Sequence, residues 1–271
     1  MKKYGFTLAE VLIALGIIGV VASLTAPTFI SNIRNTTNAA RLSATVSTLE
    51  NAFTTMIAKE DADTEDLLFD TAAWRDHGSD KRAFASAISD YITLEGFREL
   101  STSSAAVKNY YGANKGPFLM NSNGSRGANV DETLAGYLVR TGNNLAGGNH
   151  VLLLKNGAVV FLLINNQTEA GNAEAIRQRG GSLTSIAADI WIDVNGTDAP
   201  NTLGRDIFAF YLGTNGKLYP LGGKDVQILD DPNNPALWNE SSGRDCRDGR
   251  IANGGYGCTA RVVEEGYKIN Y

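Results

Sequence analysis

Glu10 stands alone in a long uncharged stretch. From Phe6 to Ala26 the chain reads FTLAEVLIALGIIGVVASLTA, and Glu10 is its only formal charge. A lone carboxylate in an apolar helix costs on the order of 2–3 kcal/mol to place in a membrane, so a charge kept there marks a functional position. A second set of oxygen-bearing side chains lies in DVNGTDAPNTLGRD, residues 193–206. Asp193, Asn195, Asp198 and Asp206 are hard ligands of the type calcium takes. The pattern is not an EF-hand. Gly196 stands fourth rather than sixth, and Gly204 occupies the twelfth place where a glutamate is required. Asx turns and Asn-Gly loop chemistry account for the same residues. Cys246 and Cys258 flank the glycine-rich stretch RDGRIANGGYG. Their spacing fits no common four-ligand zinc pattern, and no histidine is near. His77 and His150 are the only histidines, far apart and without ligand-like neighbours, so both are expected to be structural or exposed. The chain carries no G-x-S-x-G, no H-E-x-x-H and no P-loop. Arg179-Gly180-Gly181-Ser182 lacks the lysine and spacing of a phosphate cradle. The expectation is a protein that is not an enzyme.

The element that holds Glu10 follows from its length. Twenty-one residues of helix rise about 30 Å at roughly 1.5 Å each, enough to cross a bilayer core. Lys2 and Lys3 precede the segment; Arg34 and Arg41 follow at a distance. The immediate flank favours an N-terminus on the cytoplasmic side, with the remainder exported. An ordinary secretory signal is the competing reading, with Lys2-Lys3 as its basic start and Val20-Val21-Ala22 near its cleavage site. The apolar run is long for a signal core, and Glu10 does not belong in one. Pro27 removes a backbone donor and predicts a kink. Beyond it, Leu42, Val46, Leu49, Phe53 and Ile57 recur at helical spacing and form one stripe. The pattern predicts one long kinked helix from about Phe6 to Lys59. Its first half is apolar all round, and its second half is amphipathic, suited to packing on a head domain.

The rest of the 271 residues predict that head, residues 61–271. Hydrophobic residues make up 43% and charged residues 20%, an ordinary globular balance with ample chain for a core. The net charge of −5 makes a nucleic acid an unlikely partner. Glu60 to Asp66 reads as an acidic surface loop. Lys81 to Leu100 reads as a second helix through Phe84, Ile88 and Ile92, and Ser101 to Gly127 as irregular. In HVLLLKNGAVVFLLI, residues 150–164, two apolar runs flank Asn156-Gly157, the pair preferred in a two-residue type I′ hairpin. Ile190 to Val194 and Asp206 to Leu212 read as further strands, and Thr214-Asn215-Gly216 turns the chain into Lys217 to Pro220. The fold class is α+β: a long helix laid on an antiparallel sheet.

Gly5-Phe6-Thr7-Leu8-Ala9-Glu10, followed by a long apolar helix, resembles the start of a type IV prepilin or type II secretion pseudopilin. The close match covers about the first 25–30 residues. The resemblance implies that Met1 to Gly5 is a leader cut after Gly5 by prepilin peptidase, and that Phe6 becomes the N-methylated first residue. It implies that 6–26 is a transmembrane and filament-core helix and 27–60 its amphipathic continuation, with Pro27 where many pilins kink. Glu10 occupies the family's assembly glutamate, one turn from the amine that cleavage creates. Sibling subunits and an inner-membrane assembly platform are the implied partners, with the protein as a structural subunit of a pilus or secretion pseudopilus. Cys246 and Cys258 resemble the disulfide-closed C-terminal loop of many pilins, two free thiols being the alternative. No cofactor is required by the resemblance. Some pseudopilins hold calcium in a head loop, which brings Asp193, Asn195, Asp198 and Asp206 back into view. A membrane-anchored adhesin or binding module that never polymerises is the rival class, and a secreted protein behind an ordinary signal is another.

Overall fold

The computed structural model describes residues 7–59, 88–100, 110–111, 115–116, 118–129, 149–164, 186–213, 215–226, 237–239, 245–251, 253–255 and 257–271. Helix α1 runs unbroken over Leu8–Lys59, 52 residues, with Pro27 inside it. Two regimes meet along its length. From Leu8 to Ile33 every side chain is exposed, including Leu12, Ile13, Leu15, Ile17, Ile18, Leu24, Phe29 and Ile30. From Asn38 onward one face is buried: Leu42, Val46, Leu49 and Phe53 as the spacing predicts, joined by Ala39, Thr45, Ala52 and Met56. Ile57 packs against the same core.

Six antiparallel strands form the sheet beneath that face. They are β1 (Leu94–Leu100), β4 (Asn149–Leu154), β5 (Val159–Ile164), β6 (Ile186–Asp193), β7 (Ile207–Gly213) and β8 (Leu218–Pro220), in the spatial order β1-β4-β5-β6-β7-β8. Successive side chains on a strand point to opposite faces. Leu152, Leu154, Val160, Leu162, Ile190, Ile192, Phe208, Phe210 and Leu212 therefore meet α1. Val151, Phe161, Trp191, Ala209 and Tyr211 face the other way, into a second core with Tyr111, Leu203 and Leu221. Both faces are covered, so the strands read as continuous apolar runs instead of alternating ones; all seven residues of β7 are buried.

A small hairpin, β2 (Phe118–Met120) with β3 (Arg126–Asn129), flanks the sheet. Regular structure thus lies within a span expected to be irregular. Its strands are only three and four residues long, too short to show a period. The expected second helix is also corrected. Ile88 lies in a helical turn, with the Ile92 N–H donating to the Ile88 carbonyl at 3.0 Å. From Leu94 the chain is instead strand β1, paired with β4. The described turn satisfies the Ile88–Ile92 spacing, and Gly96 is a poor helix residue. Residues 81–87, the acidic run 60–66 and His77 lie outside the described residues.

The hairpin between β4 and β5 turns at Asn156-Gly157 as expected, but through a different loop. The Gly157 N–H donates to the Leu154 carbonyl and the Leu154 N–H to the Ala158 carbonyl, each at 2.9 Å. Only Gly157 has positive φ, +85°, so this is a three-residue loop with a glycine bulge rather than type I′. Gly216 repeats the arrangement between β7 and β8, with its N–H on the Gly213 carbonyl and Gly213 N–H on the Lys217 carbonyl.

The head closes with a short ribbon, β9 (Cys246–Arg247) and β10 (Arg250–Ile251), and helix α2 (Cys258–Glu264). Cys246 and Cys258 are disulfide-bonded, with Cα atoms 5.2 Å apart, and both are fully buried. Closing a loop of this length stabilises by about 3 kcal/mol in the chain-entropy account. The buried Arg261 of α2 knits the loop to the rest. Its Nη1 donates to the Cys246 carbonyl at 2.6 Å, and it pairs with Asp248 and Glu265.

Candidate functional site

The N-terminal turn of α1 carries the first candidate. The Thr7 N–H and the Thr7 hydroxyl both donate to Glu10 Oε2, each at 2.8 Å, and the Glu10 N–H donates back to Thr7 Oγ1 at 3.3 Å. This is a capping box. It satisfies two of the backbone donors that a helix start leaves orphaned, one of them through a carboxylate placed where the helix dipole favours an anion. Its signal is present in the sequence as Thr7-x-x-Glu10, where the membrane-span pattern overshadows it. Among the described residues Oε1 of Glu10 accepts no hydrogen bond, so the carboxylate is held yet has capacity for a second donor. Gly5 and Phe6 lie outside the described residues. Pro27 has no N–H to give the Ser23 carbonyl, yet α1 continues through it.

Where α1 meets the head, polar side chains fix its register. Asn35 Nδ2 donates to the Ile269 carbonyl and Asn38 Nδ2 to the Arg205 carbonyl, each at 3.2 Å. Arg205 in turn donates to the Gly124 carbonyl at 2.9 Å and the Tyr271 carbonyl at 3.1 Å, and the Tyr271 hydroxyl donates to the Gly204 carbonyl. Higher up, Asn156 Nδ2 donates to Thr45 Oγ1 at 3.0 Å and the Leu218 N–H to Glu50 Oε1 at 2.9 Å. None of these pairings, up to 234 residues apart in the chain, leaves a local sequence signal.

The calcium candidates end up in one region. Asp193 closes β6 and Asp206 precedes β7; both are fully buried. Tyr111 donates its hydroxyl to Asp193 Oδ2 at 2.6 Å, and the N–H groups of Asn201 and Thr202 donate to Asp206 at 2.8 and 2.6 Å. Asp198 is exposed, and Asn195 Nδ2 holds its backbone carbonyl, not its carboxylate. Among the described residues no three His, Cys, Asp or Glu side chains gather as metal ligands. The amide oxygens of Asn195 and Asn201 are nevertheless buried without a hydrogen-bond donor, so the donor chemistry suits a hard cation. His150 is structural: it is buried in β4 with its ring centroid 5.2 Å from that of Phe97.

Burial pushes the Asp193 carboxyl well up, the nearby Asp206 adding to the effect. Burial likewise raises Asp206 to about 6, against the opposing pull of the Thr202 and Asn201 N–H groups. The Tyr111 phenol is pushed well up by burial and by Asp193, which keeps its proton in place to donate. A carboxyl raised on folding stabilises fully below its unfolded value near 3.8, and that contribution is lost as pH rises through about 6. Two units correspond to about 3 kcal/mol. Thermal unfolding of the full chain in detergent is therefore expected at higher temperature at pH 5 than at pH 7.5, and Asp206→Asn should flatten the profile. Unfolding temperatures that fall on acidification across that window would contradict the assignment. Calcium added at pH 7.5 supplies a second arm: a raised midpoint would identify the cation as counter-ion to the pair.

Geometry and sequence define a class first: an α+β head on a helix that is long and apolar enough to cross a membrane, its apolar part bare of contact with the head. Residues 1–26 match the prokaryotic N-terminal methylation motif, the cleavage signal carried by type IV pilin and pseudopilin precursors. The motif supports a pilin-like precursor, and it points to a structural subunit of the kind prepilin peptidase processes rather than to an enzyme. Comparison with curated proteins and with solved structures finds no match.

Proposed function

We propose that this protein is a structural subunit assembled into a type IV pilus or type II secretion pseudopilus. Prepilin peptidase cuts between Gly5 and Phe6 on the cytoplasmic side, and Phe6 is N-methylated. Residues 6–26 hold the processed subunit in the cytoplasmic membrane as a single span, with the head exported. The observation that carries the reading is the methylation motif running directly into a helix whose side chains are exposed on every side from Leu8 to Ile33. A surface of that kind needs either lipid or other helices around it. Moving from one to the other keeps it out of water throughout, which is what transfer from membrane to filament requires. The partners are sibling subunits and the inner-membrane platform that drives transfer.

Cleavage leaves a cationic amine at Phe6, and methylation keeps that charge. Glu10 supplies the anion one turn away, in the same chain or in the neighbouring subunit of a filament. Intact-mass and N-terminal peptide analysis tests the processing step. The expected mature chain begins at N-methylated Phe6, and Gly5→Leu is expected to leave an uncut, membrane-held precursor. A mature chain beginning near Ser23 would instead assign an ordinary signal peptide. Correct processing without any cross-link between subunits would favour an anchored binding module.

A further inference from the structure

We propose that the end of the head nearest the membrane span is a seat for anionic lipid headgroups, with Arg34 and Lys268 as the cations that meet phosphate and Arg41 behind them. The proposal rests on reading the first half of α1 as the span. No formal charge lies between Val11 and Ile33. With residues 6–26 in the hydrocarbon core, Arg34 lies about 12 Å of helix beyond Ala26, from where its long side chain reaches back to the headgroup layer. Arg34 is exposed. Its neighbour Asn35 bonds the Ile269 carbonyl, so the last segment of the head meets α1 at this level. Lys268, the residue before Ile269, is exposed there too. Arg41 is exposed seven residues further on, about 10 Å along the axis and on the same side of the helix as Arg34.

Among the described residues these cations meet no countercharge. Among the described residues none of the three makes an ion pair. The acidic side chains of the adjoining segment are already engaged: Asp248 and Glu265 by Arg261, and Glu264 by the Trp238 indole N–H. Asp206 is buried. Among the described residues, a chain with a net charge of −5 thus turns positive charge without a partner toward the plane where its helix leaves the bilayer. A guanidinium fork and an ammonium are the donors that phosphodiesters favour, and interfacial Arg and Lys set the depth and rotation of a span.

The experiment uses the full chain extracted in mild detergent from bilayers of phosphatidylcholine with about a third phosphatidylglycerol, with retained lipid measured by mass spectrometry. Two cations at the headgroup plane are expected to enrich phosphatidylglycerol on the order of tenfold. The Arg34→Ala, Lys268→Ala double variant should bring retention close to the bulk ratio, and raised salt should do the same to the parent. Lys217→Ala is the control. It follows Gly216, which lies against Phe53 and Thr54, about 30 Å further along α1, and should leave enrichment unchanged. A parent chain without preference, or a double variant that retains it, overturns the proposal. A double variant with unchanged lipid but lost cross-links to sibling subunits overturns it in favour of an acidic surface on a neighbour. Failure of the parent to float with the bilayers removes the span reading itself, and the proposal with it.

Discussion

Glu10→Lys is expected to give a chain that is cleaved at Gly5-Phe6 and held in the membrane yet nearly missing from filaments. The carboxylate is bound by the Thr7 N–H and hydroxyl at the first turn of α1. Lysine loses that cap, worth about 1 kcal/mol, and puts a cation at the positive end of the helix dipole. Both effects are small beside the electrostatic penalty in an apolar filament core. There the Phe6 amine would face a like charge, and an uncompensated buried charge costs about 3–5 kcal/mol, a hundredfold or more in occupancy. Glu10→Ala should fall short in the same direction while inserting at least as well as the parent. Glu10→Gln separates the two roles of the side chain, because glutamine keeps the capping box and drops the charge. If it behaves as alanine does, assembly uses the charge; if it behaves as the parent does, the cap suffices. Cross-linking between subunits, with leader removal checked in the same sample, measures both steps. Normal incorporation of Glu10→Lys would end the charge-pairing mechanism and leave the processing motif untouched.

Phe53→Ala should strongly destabilise the head. Phe53 is 1% exposed and lies near the C-terminal end of the buried stretch of α1, on the face packed against the sheet. The Gly216 turn comes so close to the Phe53 backbone that a Cβ there would meet it at 3.2 Å. Removing a buried phenylalanine ring costs about 3–5 kcal/mol, a large share of the roughly 5–15 kcal/mol that holds a typical domain together. Ile30→Ala deletes a residue of similar character on the same helix, but Ile30 is exposed and should leave the head's unfolding temperature unchanged. Thermal unfolding of the two variants side by side in detergent, with limited proteolysis to follow release of α1, makes the comparison. Equal effects would mean that the helix is not part of the head's core.

Phe53 and Glu10 are both legible in the sequence because their signals are local: one by helical spacing, the other by charge in an apolar run. The same holds for β4, β5, β6 and β7, whose apolar runs are bounded by Asn-Gly and similar turns. The features that escape a reading of the sequence are decided by partners far along the chain. Leu94–Leu100 is a strand because β4 is there to pair with it, and nothing in its own pattern says so. Tyr111 reaches Asp193 across 82 positions. The glycine-bulge loop at Gly157 shares its Asn-Gly pair with type I′ turns, and only the hydrogen-bond register tells them apart. The leader motif is the most specific signal although it covers about a tenth of the chain, because a processing enzyme reads it as linear sequence.

If the head is exported as proposed, the contacts of the segment Cys258–Tyr271 set an order of events. Val262 and Ile269 belong to the core that α1 joins, Ile269 holds Asn35, and Tyr271 holds Arg205, whose own carbonyl holds Asn38. On that reading, the helix that follows the span is clasped by a segment that would cross the membrane late. Until residues 258–271 had crossed, α1 would lack the Asn35–Ile269 contact and the packing of Val262 and Ile269, and Cys246 would wait without its partner sulfur. A chain stalled in export would keep its head open, however far its central strands had folded. Closure of the seam would thus report that translocation has passed this segment, and in the proposed assembly only subunits whose seam is shut would carry an intact head into a filament.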